Sequence, residues 1–348
     1  MQQRRIEPFL KDPIQVEAKA IGFDLVGVCS PEPVPHLDFY AEWLASGYAG
    51  EMHYLERHAP LKADLKSLLP EVRSVVVVAC NYYSEAEPNS DFQVARYARG
   101  DDYHGLMKAM LERFAEALRT HYPALEARAF VDSGPLLERE LAVRAGLGWF
   151  GKNTCLIAPG QGSWFLLGAL LTNLPLPFSA PFETLHCGSC TRCLDICPTE
   201  ALLAPHTLDA RRCIAYLTIE TREEIPLELR EGIGGHVFGC DLCQEVCPWN
   251  QRFAQPTPHQ AFSARPWTSE KSLAELLLLS PREFELEIAP RSPIKRPKYR
   301  GFIRNLAVVA GNSGQTALIP VLKTGLERHG QDPMLVSHFN WALERLQN

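Results

Sequence analysis

Eight of the chain's cysteines fall between residues 187 and 247, in a spacing that suits iron–sulfur chemistry. The stretch opens with Cys187-x-x-Cys190-x-x-Cys193-x-x-x-Cys197-Pro198, passes through Cys213, and closes with Cys240-x-x-Cys243-x-x-x-Cys247-Pro248. Three thiolates separated by two residues each can wrap one corner of a [4Fe–4S] cubane, while a Cys-Pro turn sends the fourth cysteine to a second cluster. On that pattern Cys187, Cys190, Cys193 and Cys247 hold one cluster, and Cys197, Cys213, Cys240 and Cys243 hold the other. Cys213 stands well apart from Cys240, so a loop is inserted into the second half of the repeat. Structural zinc would favour two clean Cys-x-x-Cys knuckles, and it explains neither the three-cysteine run nor the paired Cys-Pro turns. Disulfides would need an oxidising compartment that nothing else in the chain suggests. A segment of this kind moves single electrons.

Three further stretches carry residues with chemical potential. Asp132, in Phe130-Val-Asp-Ser-Gly-Pro135, sits at the end of an expected strand and just before an expected helix, where ligand sites of layered sheets gather. Asp and Ser are also good helix caps, so position alone leaves a catalytic carboxyl and a cap both open. Gly146-Leu-Gly-Trp-Phe-Gly-Lys-Asn-Thr154 fails the phosphate-loop spacing. Its glycines imply either close approach of backbone to a large planar group or simply a helix stop and a tight turn. The stretch 291–304 holds Arg291, Lys295, Arg296, Lys298, Arg300 and Arg304 with no acidic residue, and Tyr299 and Phe302 offer stacking surfaces. It reads as a phosphate-contact patch or as an ordinary solvated basic loop. Asp102-Tyr-His104 matches the start of a cobalamin motif, DxHxxG, but Met107 takes the glycine position, which argues against His104 as a lower axial ligand.

The elements that must position these residues are legible from periodicity. Residues 74–80 form a continuous apolar, mostly β-branched run, expected to be a strand buried on both faces. Further strands are expected at 24–29, 127–131 and 163–172. Helices are expected at 13–21, 37–45, 102–122 and 135–145. Strands alternating with helices place residues 1–180 in an α/β domain. Prolines 175, 177 and 181 lead into a ferredoxin-like module of two [4Fe–4S] clusters at 181–250. Helix-length amphipathic segments at 301–310, 317–327 and 333–346 make 251–348 a small helical tail.

Composition bounds the remaining possibilities. The chain has 348 residues, 46% hydrophobic and 22% charged, as ordinary globular proteins do. No apolar run reaches membrane-spanning length; the longest, 164–171 and 273–279, are far too short. Arg4-Arg5 could open a twin-arginine signal, but charges occupy the place of the apolar segment, so export is not expected and a reducing cytoplasm is. The net charge of −6 argues against a general nucleic-acid coat and allows a local basic patch.

Taken together, the chain resembles the epoxyqueuosine reductases, distant relatives of the reductive dehalogenases. The likeness rests on Val131-Asp132-Ser133-x-Pro135-x-x-Glu138-Arg139, on Gly146-Leu-Gly-Trp-Phe-Gly-Lys-Asn153, and on the eight-cysteine pattern. Gly50-x-Met52-x-Tyr54-Leu-x-Arg57 and Arg96-Tyr-Ala-x-Gly100-x-Asp102-Tyr-His104 add to it. Arg304-Asn305-Leu-Ala and Asp332-Pro-x-x-Val336 resemble the family's HEAT-like appendage, shortened here. The resemblance implies a cobalamin between the first domain and the cluster module, with no histidine on cobalt. It also implies reduction of epoxyqueuosine to queuosine at the wobble position of tRNA, with Asp132 as proton donor. Arg57, Tyr97 and Asn153 would lie near the corrinoid, and Lys295, Arg296, Lys298 and Arg300 would face tRNA. An unidentified donor would supply electrons. Two other readings fit fewer residues. A dehalogenase-like reductase of small organic molecules leaves the basic stretch idle, and a bare two-cluster electron carrier leaves the first 180 residues without a task.

Overall fold

The structure, a computed structural model, describes residues 12–85 and 89–348; the Arg4-Arg5 pair lies outside them. Its centre is the strand Ser74–Asn81, where every residue from Ser74 to Cys80 is buried. β-Branched side chains fit a pleated surface covered on both sides, which is why this run forms the middle of a sheet. One edge of it pairs with Leu25–Cys29 and the other with Phe165–Thr172, which in turn pairs with Ala127–Val131. All three ladders are antiparallel. The expected alternation of strands and helices is present, but the parallel sheet usual in α/β folds is not. A strand buried on both faces has the same apolar pattern in either direction, so the sequence did not encode this choice.

Alternate residues of the central strand build two cores. Val76, Val78 and Cys80 pack with Met107, Leu111 and Phe114 of helix Tyr103–His121 and with Ile14 and Ala18 of helix Pro13–Ile21. Val75, Val77 and Ala79 face Leu141 and Ala142 of helix Glu138–Arg144. The result is a helix–sheet–helix sandwich with each large side chain contributing roughly 1.5–3 kcal/mol on burial, so the sheet is a firm reference for loops at its ends. Gly27 lies on the first strand because a Cβ there would stand 2.1 Å from the carbonyl oxygen of Ala145. The helix expected from residue 135 begins later, at Glu138, and leaves 132–137 as a loop.

The cysteine-rich region is built from short pieces, with helices Arg192–Asp195 and Leu242–Glu245 beside each other. Strand His236–Phe238 pairs in parallel with Gln93–Val94, stitching this region to the first part of the chain. The last three helices are Lys298–Asn312, Ile319–Arg328 and Pro333–Gln347. Their core, with Phe302, Leu306 and Phe339, is continuous with Phe92, Val94, Val237 and Phe238. These helices are therefore cemented to the cluster region and to residues 92–98 by one shared core. No helix among the described residues is long and apolar enough to cross a membrane.

Candidate active site

Strand Ala127–Val131 ends on Asp132, which adopts a left-handed backbone (φ 41°). Asp tolerates this conformation better than most residues, and it turns the carboxyl away from the sheet. Helix Glu138–Arg144 is preceded by Leu137 with no side-chain cap, so Asp132 is not capping it. Instead its Oδ2 accepts the hydroxyl of Tyr103 and lies 3.1 Å from Nε2 of His104. Its side chain nevertheless keeps 58% of its accessible surface, so one side of the carboxyl stays open.

The partners of Asp132 come from one helix start. Asp102 caps helix Tyr103–His121 by accepting the backbone N–H of His104 at 3.1 Å, and the same Oδ1 lies 2.8 Å from His104 Nδ1. Its other oxygen receives Lys295 Nζ at 2.6 Å. The hydrogen bonds to Asp102 and then to Asp132 lift the pKa of His104 to about 9. Burial pushes the Asp132 carboxyl upward, but the hydrogen bonds from His104 and Tyr103 and the charges of His104 and Arg296 outweigh it and hold it below its usual range. In this arrangement Asp132 is the carboxylate and His104 carries the proton.

A second polar set stands beside this one. Lys62 donates to the carbonyl of Leu136 at 3.1 Å, tying helix Tyr54–Ala63 to the Asp132 loop. Burial raises the Glu138 carboxyl to about 7, and the neighbouring Asp132 charge adds to the effect. Its Oε1 is buried without a hydrogen-bond partner among the described residues. Composition did not single out Tyr103, Lys62 or Glu138 as polar partners. Tyr103 and Glu138 had a sequence signal only as members of the motifs around Asp102 and Asp132, and Lys62 had none.

The basic stretch divides by burial. Lys295 reaches Asp102, and Arg296 grips Glu220 through Nε and Nη2 at 3.1 and 2.8 Å beneath the Tyr54 ring. Arg300 is held by Asp332, the cap of the last helix. Arg304 is fully buried and donates to the carbonyls of Leu217, Thr221 and Glu223. Lys298 is exposed and has no ion-pair partner among the described residues. Neither aromatic is free for stacking: Phe302 is buried in the core, and Tyr299 packs on Phe284 and His329 with its hydroxyl on Leu279. The helix begins at Lys298, so these side chains follow the helical period inward rather than lying along a loop.

Among the cysteines, Cys187, Cys190, Cys193 and Cys247 line one cavity of about 190 Å³. Cys197, Cys213, Cys240 and Cys243 lie near one another in a second group. Backbone N–H groups point at several sulfurs, including Ala201 to Cys197 at 3.3 Å, as suits thiolates that ligate iron. The glycine-rich stretch 146–153 clasps both groups. Lys152 Nζ donates to the carbonyls of Gly188 and Cys190 at 2.7 and 3.0 Å, and Asn153 Nδ2 to that of Cys243 at 3.2 Å. Its glycines answer internal crowding, since a Cβ on Gly148 would stand 2.2 Å from the Ile157 carbonyl oxygen. Tyr97 packs against Tyr82, Tyr103 and Phe238, close to Asp132. Arg57 is exposed on helix Tyr54–Ala63, and Asn153 is only 4% exposed.

Comparison with known proteins bears on the family. Residues 186–250 match the family described as "4Fe-4S double cluster binding domain", and residues 62–133 match "Epoxyqueuosine reductase QueG, DUF1730". The epoxyqueuosine reductase of Pseudomonas aeruginosa is 44% identical over 336 residues, covering 94% of this chain and 92% of that protein. An epoxyqueuosine reductase solved with an epoxyqueuosine-modified tRNA-Tyr stem loop superposes with a TM-score of 0.79 at 27% identity, covering 97% of this chain and 99% of that one. The Bacillus subtilis enzyme, solved with a catalytic aspartate loop swung out of its active site, gives a TM-score of 0.77 at 28% identity, again over 97% and 99% of the two chains. With a double-cluster region and this extent of identity along both chains, the chain belongs to the epoxyqueuosine reductase family.

Proposed function

We propose that this protein reduces epoxyqueuosine to queuosine in the anticodon of tRNA, with Asp132 placing a proton on the departing epoxide oxygen. The observation that carries the reading is the Asp132 carboxyl, fixed by Tyr103 and His104 with one side open rather than spent as a helix cap. Epoxide opening develops negative charge on oxygen, and a positioned acid lowers that barrier by roughly two to four orders of magnitude. The solved relative bound to a modified tRNA stem loop supports tRNA as the substrate. The relative with a displaced aspartate loop supports a catalytic role for this turn.

We assign Cys187, Cys190, Cys193 and Cys247 to one [4Fe–4S] cluster and Cys197, Cys213, Cys240 and Cys243 to the other, following their two groupings. A cobalamin would sit on the open side of Asp132, with Tyr97 as an aromatic neighbour and exposed Arg57 able to meet its polar rim. Asn153 serves by bracing the backbone of Cys243. When bound, the corrinoid supplies a strongly reducing metal centre fed one electron at a time. The chain's own part is to hold the acid and deliver protons. Both ring nitrogens of His104 are occupied by carboxylates, which suits a corrinoid without a histidine ligand.

The test is Asp132→Asn in the holoenzyme under single turnover, with chemically reduced protein and nucleoside mass spectrometry. Queuosine formation should fall about 100-fold or more, with iron content unchanged. A rate near that of the unmutated enzyme would remove Asp132 from the chemistry.

A further inference from the structure

Removing an epoxide oxygen as water breaks two C–O bonds, forms one C–C π bond and two O–H bonds, and consumes two electrons and two protons. An external one-electron donor, acting twice through the clusters, supplies the electrons. The protons must come through the site, yet its neighbours hold the Asp132 carboxyl below its usual range, in the ionised form. Asp132 Oδ2 accepts from Tyr103 and lies 3.1 Å from His104 Nε2. We propose that His104 is the proton reservoir of the reaction, recharging Asp132 for each of the two proton deliveries of a turnover. The inference rests on Asp132 being the acid that meets substrate.

The arrangement of the imidazole supports this. Its Nδ1 is tethered to Asp102 at 2.8 Å, and Asp102 is itself pinned as helix cap and by Lys295. The ring stacks on Tyr103 with centroids 4.1 Å apart. Two carboxylates therefore flank one imidazole, and it remains 39% exposed, so solvent can reload it. In each delivery the N–H bond at His104 Nε2 breaks, an O–H bond forms on the Asp132 carboxyl, and that proton passes to the substrate oxygen. Tyr103 cannot substitute: burial and the adjacent Asp132 charge push its pKa far upward, so it is a fixed donor. The other charged groups facing the pair are Arg296, near Asp132 and paired with Glu220, Lys295 on Asp102, and Lys62 and Glu138 beside the Asp132 loop. With its pKa near 9, His104 stays loaded at neutral pH.

His104 is a positioning and relay residue, so its test needs a readout that simple anchoring would leave still. Single-turnover conversion of epoxyqueuosine tRNA by chemically reduced holoenzyme is followed from pH 6 to 10 in the unmutated protein, His104→Gln and His104→Ala. Gln keeps a hydrogen-bond donor toward Asp132 but holds no exchangeable charge. The unmutated rate should decline above about pH 9. His104→Gln should be about 100-fold slower at pH 8, with its alkaline decline starting at least about one pH unit lower. His104→Ala should recover severalfold with added imidazole, in proportion to the imidazolium form. A Gln variant within threefold of the unmutated rate across the range would overturn the proposal. So would a pH-independent loss that imidazole does not relieve. Loss of activity in Asp132→Asn alongside a normal His104→Gln profile would refute only this inference; normal turnover in both would refute the Asp132 assignment as well.

Discussion

Lys295 Nζ lies 2.6 Å from Asp102 Oδ2, although 193 residues separate them in the chain. The contact brings the basic stretch of the tail against the helix start that presents Tyr103 and His104 to Asp132. It also makes the members of that stretch unequal, which their sequence does not reveal.

Phosphate contact is therefore expected of Lys298 rather than of the whole stretch. Lys298→Ala should weaken binding of the modified stem loop and lower the slope of log K against log salt by nearly one unit, the loss of about one phosphate contact. Arg300→Ala should leave that slope in place and instead loosen the last helix, because its guanidinium holds the cap residue Asp332. A filter-binding titration over salt separates the two, and equal slopes for Lys298→Ala and the unmutated protein would return Lys298 to solvent.

Cluster content follows from the two cysteine groups. Anaerobically reconstituted protein should hold about eight iron atoms per chain. Cys197→Ala should damage the cluster shared with Cys213, Cys240 and Cys243 and spare the one lining the cavity at Cys187. Iron assay with electron paramagnetic resonance checks both, and about four iron atoms in the unmutated protein would contradict the pair.

Arg304 is expected to matter for stability and not for tRNA. It is fully buried, its pKa is lowered by burial to about 10, and it satisfies three backbone carbonyls around helix Ile214–Ile219. Arg304→Met leaves those acceptors unpaired at roughly 1–3 kcal/mol each, so a loss of at least about 3 kcal/mol is expected. Thermal melting would register it, accompanied by loss of iron because Cys213 adjoins that helix.

His338 gives the fold an acid-sensitive joint. Its Nε2 accepts the N–H of Ile225 at 3.1 Å and its Nδ1 donates to the Met334 carbonyl at 2.6 Å, so the ring is neutral when folded. Burial lowers its pKa from 6.5 to about 3. The unfolded chain therefore takes up the proton first. The contribution of His338 is complete above pH 6.5 and is lost progressively as pH falls from 6.5 toward 3. His338→Gln retains an acceptor for Ile225, and its melting temperature should fall less steeply than that of the unmutated protein between pH 6.5 and 4. Parallel slopes would show that other groups govern the acid limb.

Local pattern alone made much of this molecule readable. The cysteine spacing pointed to two clusters because cubane ligation is a local matter of reach and turn. The apolar run at 74–80 announced a central strand because burial on both faces leaves no polar alternation. Asp102 marked a helix start because capping is decided within three residues. The tertiary structure decided what depends on contacts between distant segments. The ladders run antiparallel, a direction that a symmetric apolar run cannot record. Asp132 is a buttressed carboxylate rather than a cap, because Tyr103 and His104 reach it from a different helix. Its proton rests on His104, since two carboxylates converge on one imidazole only after the sheet brings residues 102 and 132 together. The basic stretch, uniform in sequence, is divided by its partners into a buried brace at Arg304, ion-paired Lys295, Arg296 and Arg300, and an exposed Lys298. Charge is a property of the residue, but the work that charge does is set by the partners folding places beside it.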